Sequence, residues 1–359
     1  MQTRFTKLVG IEHPIVQTGM GWVSGARLVT ATARAGALGI IASATMTYSE
    51  LESAIREVKE RTDAPFGVNL RADAEDAQAR VKLLIREGVR VASFALAPRR
   101  EMIAQFKDAG IVVVPTVGAA RHAEKVAGWG ADAVIVQGGE GGGHTGGVAT
   151  TLLLPSVVRA VDIPVVASGG FFDGSGLAAA LAYGATGIAM GTRFLLTSDS
   201  TVPDGVKKAY LARGLNDTVV TTKVDGIPHR VLRTELVQSL EQTRGLRTLG
   251  HAAVNTVRFR KLTGLSWRAL ISEGITLVRS GDRTLAQLMM SANSPMLLRA
   301  GLVDGNTEAG VLASGQVVGM IDDLPTVADL VEQIVRDAEQ RLDHLAAIHG
   351  RVEPESAKS

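Results

Sequence analysis

Eight short runs of β-branched and small apolar residues recur along the first 190 residues of the 359-residue chain. They are Pro14–Gln17, Ala37–Ala42, Phe66–Leu70, Val91–Ala95, Ile111–Pro115, Ala133–Gln137, Ile163–Ser168 and Gly187–Met190. Most are apolar at consecutive rather than alternate positions. A strand that is apolar on both faces has to be covered on both, as in a parallel sheet flanked by helices. Helix-patterned segments separate the runs, among them Ser49–Arg61, Ala74–Glu87, Arg99–Ala109 and Ala119–Gly128. The pairs Gly36-Ala37, Gly88-Val89, Gly130-Ala131 and Gly184-Ala185 read as helix C-caps that lead into the next strand. Eight such units predict an α/β protein built as a (β/α)8 TIM barrel. A doubly wound open sheet is the rival. The uncharged stretch Gly174–Thr192 has 19 residues, but its five glycines and the break at Gly184 predict helix plus strand, not a membrane span.

The rhythm stops after Phe194. The pattern divides the chain into a barrel over 1–200, a basic helical cap or insert over 201–310, a strand and helix over 311–350 packing back on the barrel, and a disordered tail over 351–359. Residues 201–300 carry 15 Lys/Arg against 7 Asp/Glu, although the whole chain has a net charge of only +2. Thr326–Ile348 spaces Val327, Leu330, Val331, Ile334, Val335, Ala338, Leu342 and Leu345 along one helix face. With no cysteine, disulfides, thiolate catalysis and thiolate-bound zinc or iron–sulfur clusters are excluded. The seven histidines are scattered, so no metal site is expected. Aromatic residues make up 4%, too few for a single-strand nucleic-acid platform. The opening Met1–Lys7 leads into no apolar segment of the signal-peptide kind, and a cytoplasmic location is expected.

Three glycine clusters follow expected strands, where a barrel carries its site. The first runs from Gln137 to Gly147 and holds seven glycines and His144. Glycine lets backbone amides approach a ligand, and the imidazole is the side chain suited to moving a proton near neutral pH. The second is Ser168-Gly169-Gly170 and the third Gly191-Thr192; loops after strands seven and eight are the usual phosphate site of such barrels. Gln17-Thr18-Gly19-Met20 follows strand one and Asn69 ends strand three, placed to meet a heterocycle edge and face. Asn69 reads equally well as a structural residue.

These segments resemble the nitronate monooxygenase (2-nitropropane dioxygenase) family, which includes FMN-dependent enoyl-thioester reductases. The resemblance is carried by Pro14–Met20, Phe66–Leu70, the loop of His144, Ala167–Gly170 and Met190–Phe194, with Gly315-Gln316 similar too. It implies FMN as cofactor, with Gln17, Thr18, Gly19, Met20, Asn69 and Gln137 at the flavin ring, Gly142 and Gly143 beside it, and Ser168, Gly169, Gly170, Gly191 and Thr192 around the phosphate. It implies His144 as the catalytic residue. The loop reads Glu140-Gly141-Gly142-Gly143-His144 where the family commonly has Glu-Ala-Gly-Gly-His, and Thr18-Gly19 stands where Ala-Pro is usual, which implies a differently shaped site. Within the family the chain is most similar to actinobacterial members that act on CoA thioesters from steroid-ring breakdown. That implies α,β-dehydrogenation, or the reverse reduction, of a bicyclic acyl-CoA with NAD(H). Backbone amides of Gly141–Gly143 would stabilise the enolate. CoA phosphates would meet Arg258, Arg260 and Lys261, or Lys207 and Lys208. Two other readings stay open: a nitronate monooxygenase, and a non-redox barrel that binds a phosphate ligand. Leucine-rich helices beyond strand eight are compatible with a homodimer.

Overall fold

All eight runs form strands: β1 Ile15–Gln17, β2 Leu38–Ala42, β3 Phe66–Leu70, β4 Val91–Phe94, β5 Val112–Val117, β6 Val134–Gln137, then, after a short β7 (Gly143–His144), β8 Val165–Ser168 and β9 Gly187–Met190. The computed structural model describes residues 1–95, 98–242, 296–308 and 310–350. Every barrel pair is parallel, and β1 closes on β9 with Ile15 opposite Ile188 and Gln17 opposite Met190. The order β1-β2-β3-β4-β5-β6-β8-β9 is a closed barrel, so the open-sheet alternative falls.

The double-sided burial expected of these strands is met by two separate clusters. Val16, Leu38, Ile40, Val91, Val112, Val114, Ile135, Val166 and Ala189 pack together, and Phe5, Val9 and Ile11 from the first helix and its exit join them. That helix, Arg4–Val9, covers the amino-terminal end: Arg90, just before β4, donates to the carbonyls of Leu8 and Val9, and Thr3 to that of Thr186, just before β9. The alternate residues Ile41, Val68, Ala92, Phe94 and Val113 face outward into a second cluster with Leu51, Ile55, Val81, Leu84, Ile103 and Phe106 of the surrounding helices. The four expected capping glycines, Gly36, Gly88, Gly130 and Gly184, all have left-handed φ. Helix Gly174–Ala182 and β9 resolve the uncharged stretch as expected. Among the described residues no helix is long and apolar enough to cross a membrane.

The chain separates into two compact units. The first comprises Met1–Gly141, Gly146–Thr201 and the segment from Met320. In it the long helix Val327–Gly350 packs on Gly174–Ala182, where a Cβ on Gly174 would stand 2.5 Å from the Ala338 nitrogen and the Ile334 oxygen. The second comprises Gly142–Thr145 and the described part of Val202–Gly319. Besides helices Asp204–Leu211 and Glu235–Gln242 it holds a three-stranded antiparallel sheet that the sequence did not announce. There β10 (Thr218–Thr221) pairs with β11 (His229–Leu232), and β11 pairs with β7. Its core is Val224, Val231, Val237 and Val311.

Gly174→Ala puts a methyl group into helix backbone that has no room to receive it. It should lower unfolding free energy by about 1–3 kcal/mol, the usual cost of overpacking, measured by denaturant titration; an unchanged midpoint would show that the two helices do not meet there.

Candidate active site

In the barrel unit, the carboxyl ends of β1, β3 and β9 come together through a loop that is fastened from within. Gln17 is fully buried, and its Nε2 donates to Ser24 Oγ (2.8 Å), to the Ile40 carbonyl (3.3 Å) and to the Thr18 carbonyl. Ser24 Oγ donates to the Thr18 carbonyl (2.9 Å) and accepts the Met20 N–H (2.9 Å). Gln17 Oε1 is left buried with no hydrogen-bond partner. Gly19 lies so close to Asn69 that a Cβ there would be 2.7 Å from Asn69 Cβ. Asn69 Nδ2 donates to Ser93 Oγ at 3.3 Å. A Cβ on Gly191 would be 3.2 Å from Thr18 Oγ1 and 3.4 Å from Met20 Sδ. Thr18, Gly19, Met20, Asn69 and Gly191 are therefore neighbours, with Thr192 following Gly191 in a short helical turn. Trp22, in the same loop, has φ +66°, a costly conformation for a bulky side chain, and its N–H is held by Thr45 Oγ1 at 3.1 Å.

The glycine tract after β6 is equally constrained. Gln137 and Ser168 are opposite each other in register, and the Gly138 N–H donates to the Ser168 carbonyl at 2.9 Å. A Cβ on Gly138 would be 1.9 Å from Thr150 Oγ1. The Glu140 carboxylate accepts the Thr150 N–H (3.0 Å) and hydroxyl (2.7 Å) at the start of helix Thr150–Val158, where negative charge is favoured. Gly169 and Gly170 have φ +95° and +86°, and a Cβ on Gly169 would crowd the Gly138 oxygen and the Gly141 nitrogen at 3.1 Å. The tract is thus a packed loop and not a linker. The Gly141 N–H donates to the Gly138 carbonyl, so it is not offered to an enolate.

Gly142–Thr145 belongs to the second unit, where His144 stands opposite His229 in the β7–β11 pair. A Cβ on Gly142 would be 2.5 Å from the backbone at Ser314–Gly315, which accounts for bare backbone at this position. The His144 and His229 ring centroids are 4.7 Å apart. Asp225 Oδ2 lies 2.6 Å from His144 Nε2 and 3.6 Å from His229 Nδ1. Asp225 Oδ1 accepts the Ile227 N–H at 3.1 Å. Burial disfavours the charged form of Asp225, but the imidazoles of His144 and His229 and the Ile227 N–H outweigh it and hold the carboxyl far below the usual carboxylate range. His144 is about half exposed, whereas His229 and Asp225 are buried. The three potential ligand atoms lie within 4.8 Å of one another, the donor set of a two-histidine, one-carboxylate metal site. The 2.6 Å separation is instead a shared-proton distance, shorter than the ~3.3 Å between two ligands of tetrahedral zinc.

Sequence reasoning singled out His144 as a candidate but not Asp225 or His229. Their four-residue spacing was visible, but nothing local linked them to His144. Lys207 is buried and Lys208 exposed, so Lys208 is the one of that pair open to a phosphate from solvent. Arg258, Arg260 and Lys261 lie outside the described residues, as does the tail over 351–359.

The family model for nitronate monooxygenase matches residues 2–82 and 74–337. Two curated relatives are named (3aS,4S,5R,7aS)-5-hydroxy-7a-methyl-1-oxo-octahydro-1H-indene-4-carboxyl-CoA dehydrogenase. The one from Rhodococcus jostii is 67% identical over 348 residues, covering 97% of this chain and 99% of its own. The one from Mycobacterium tuberculosis is 65% identical over 351 residues, with coverage of 97% and 99%. Among solved structures, FabK from Thermotoga maritima aligns with a TM-score of 0.81 at 34% identity, covering 97% of this chain and 99% of FabK.

Two outcomes are expected. Glu140→Ala strips the start of helix Thr150–Val158 of its acceptor and should cost about 1–2 kcal/mol of stability, like loss of other helix caps, read from the denaturant midpoint. Because the folded-state pKa of Asp225 is lowered, its contribution to stability is full above the unfolded value, about 3.9, and disappears as pH falls through the folded one. The Asp225 carboxyl ¹³C resonance should therefore stay that of the ionised group down to about pH 4, where a free aspartate is half protonated; titration at the ordinary value would contradict the pairing.

Proposed function

The chain belongs to the nitronate monooxygenase family, and on that footing we propose that it is an FMN-dependent dehydrogenase of a bicyclic, steroid-ring-derived acyl-CoA, with NAD(H) as electron partner. The observation that carries this reading is the near-full-length likeness to the two CoA dehydrogenases.

The residues fit FMN. Close approach of a phosphate requires bare backbone, which Gly169, Gly170 and Gly191 provide, with Ser168 and Thr192 beside them. A flat polar ring requires donors and acceptors without bulk, which suits Gln17, Thr18, Gly19, Met20, Asn69 and Gln137; the unpartnered Gln17 Oε1 is an acceptor awaiting a donor. Gly142 and Gly143 we assign to the same ligand. When bound, FMN supplies the acceptor for the hydride from the substrate β-carbon.

His144 supplies the base. The thioester carbonyl acidifies the α C–H bond; as that bond breaks, the proton goes to the imidazole, its electron pair forms the α,β double bond, and the β-hydrogen departs as hydride. In the reverse direction His144 returns the proton. Basic residues of the 201–310 region, Lys208 or the group Arg258, Arg260 and Lys261, are the candidates for the CoA phosphates.

Anaerobic stopped-flow spectroscopy tests the reading. A saturated bicyclic acyl-CoA should bleach the flavin absorbance of the purified protein, and His144→Ala should slow this by roughly 10²–10⁴ while retaining flavin, the usual range for a general base. Bleaching by a nitronate and not by the thioester would replace it with nitronate oxidation; a protein that takes up no FMN would leave a non-redox barrel.

A further inference from the structure

We propose that Asp225 is the positioning residue of His144: it accepts the Nε2 proton, so that Nδ1 is the atom that exchanges protons with substrate, and His229 backs the same carboxylate. The inference rests on the assignment of His144 as the base.

A neutral imidazole carries one N–H, and which nitrogen bears it is set by the hydrogen bond available there. An ionised carboxylate only accepts. At 2.6 Å, Asp225 Oδ2 therefore requires the His144 proton on Nε2 and leaves the lone pair on Nδ1. Asp225 can demand this because it is itself fixed. It is buried, and its other oxygen is tied to the Ile227 N–H. His144 sits on a strand in register with His229, so its ring is oriented by the sheet at one side and the carboxylate at the other. Once His144 takes up a proton, the imidazolium lies against the carboxylate, which stabilises it without any rearrangement, as a triad aspartate does for its histidine.

His229 accounts for the remaining side of Asp225. Both of its ring nitrogens are buried without a hydrogen-bond partner, an uncommon state for an imidazole. Nδ1 is 3.6 Å from Oδ2, and a contraction of about half an ångström brings it within hydrogen-bond range. It is a second donor held just beyond hydrogen-bond range, its ring tilted 48° to that of His144 at a centroid distance of 4.7 Å.

The test is ring ¹⁵N NMR of the FMN-loaded enzyme carrying ¹⁵N-histidine, with the His144 signals assigned by their loss in His144→Ala. Wild type should show a protonated Nε2 and an unprotonated Nδ1. In Asp225→Asn the side-chain oxygen stays with the Ile227 N–H, so the amide N–H₂ turns to His144 and the ring proton moves to Nδ1. Turnover of the acyl-CoA should then fall about 10²–10⁴-fold, as when a triad histidine is forced into the wrong tautomer, with KM and flavin content unchanged. A wild-type His144 protonated at Nδ1 overturns the proposal, as does an Asp225→Asn enzyme that keeps both tautomer and turnover. Should Asp225→Asn fail to fold, the wild-type tautomer decides alone. Full turnover in His144→Ala would instead overturn the base assignment, and that result is read separately from the tautomer.

Discussion

Closure of the barrel between β1 and β9 is the interaction on which the remaining architecture depends. Eight parallel strands leave no edge only if the first meets the last, and the Ile15–Ile188 and Gln17–Met190 pairings achieve this. Because every pair is parallel, all the carboxyl ends lie at one rim. Register sets Gln17 beside Met190, Asn69 beside Ser93 and Gln137 beside Ser168. The loops then need only small adjustments. Gln17 and Ser24 fasten one from inside, and Thr150 with Glu140 fastens another.

His144 owes its orientation to a different device. The chain leaves the barrel unit after Gly141, contributes four residues to the second unit, and returns at Gly146. A residue at the tip of a free loop would sample many rotations. His144 is instead a strand residue, paired across to His229 and hydrogen-bonded to Asp225, so much of its orientational entropy is surrendered on folding. The two glycines that precede it permit this. Gly142 passes against Ser314–Gly315 without a side chain, and Gly143 takes a left-handed φ that a larger residue would resist.

Most of the barrel was legible in the sequence because its signals are local. An apolar run of four to six residues, a helix of matching period and a glycine at its end sit within one β/α unit, and each strand boundary fell within two residues of its expected place. Candidate residues at strand ends could be placed for the same reason: position along a strand fixes which rim a residue occupies. The sheet of β7, β10 and β11 was not. Its strands are two to four residues long, β7 is half glycine, and pairing β7 with β11 joins positions 85 apart that share no periodic pattern. Asp225 and His229 were invisible for that reason, since their meaning lies in a partner that only tertiary structure supplies. Glu140 was read as part of a motif, and its work as a helix cap appeared only once Thr150 stood above it.

The close passage of Gly174 beneath Ile334 and Ala338 also has a temporal side. The two helices that meet there are separated by some 160 positions, which a ribosome takes roughly 10–30 s to traverse at 5–20 residues per second. Throughout that interval helix Gly174–Ala182, with its run of alanine and leucine, has strand neighbours but not its outer cover. The outer cover of that helix is therefore completed only by residues made after the second unit. During that interval the newly emerged helix face is left without its packing partner.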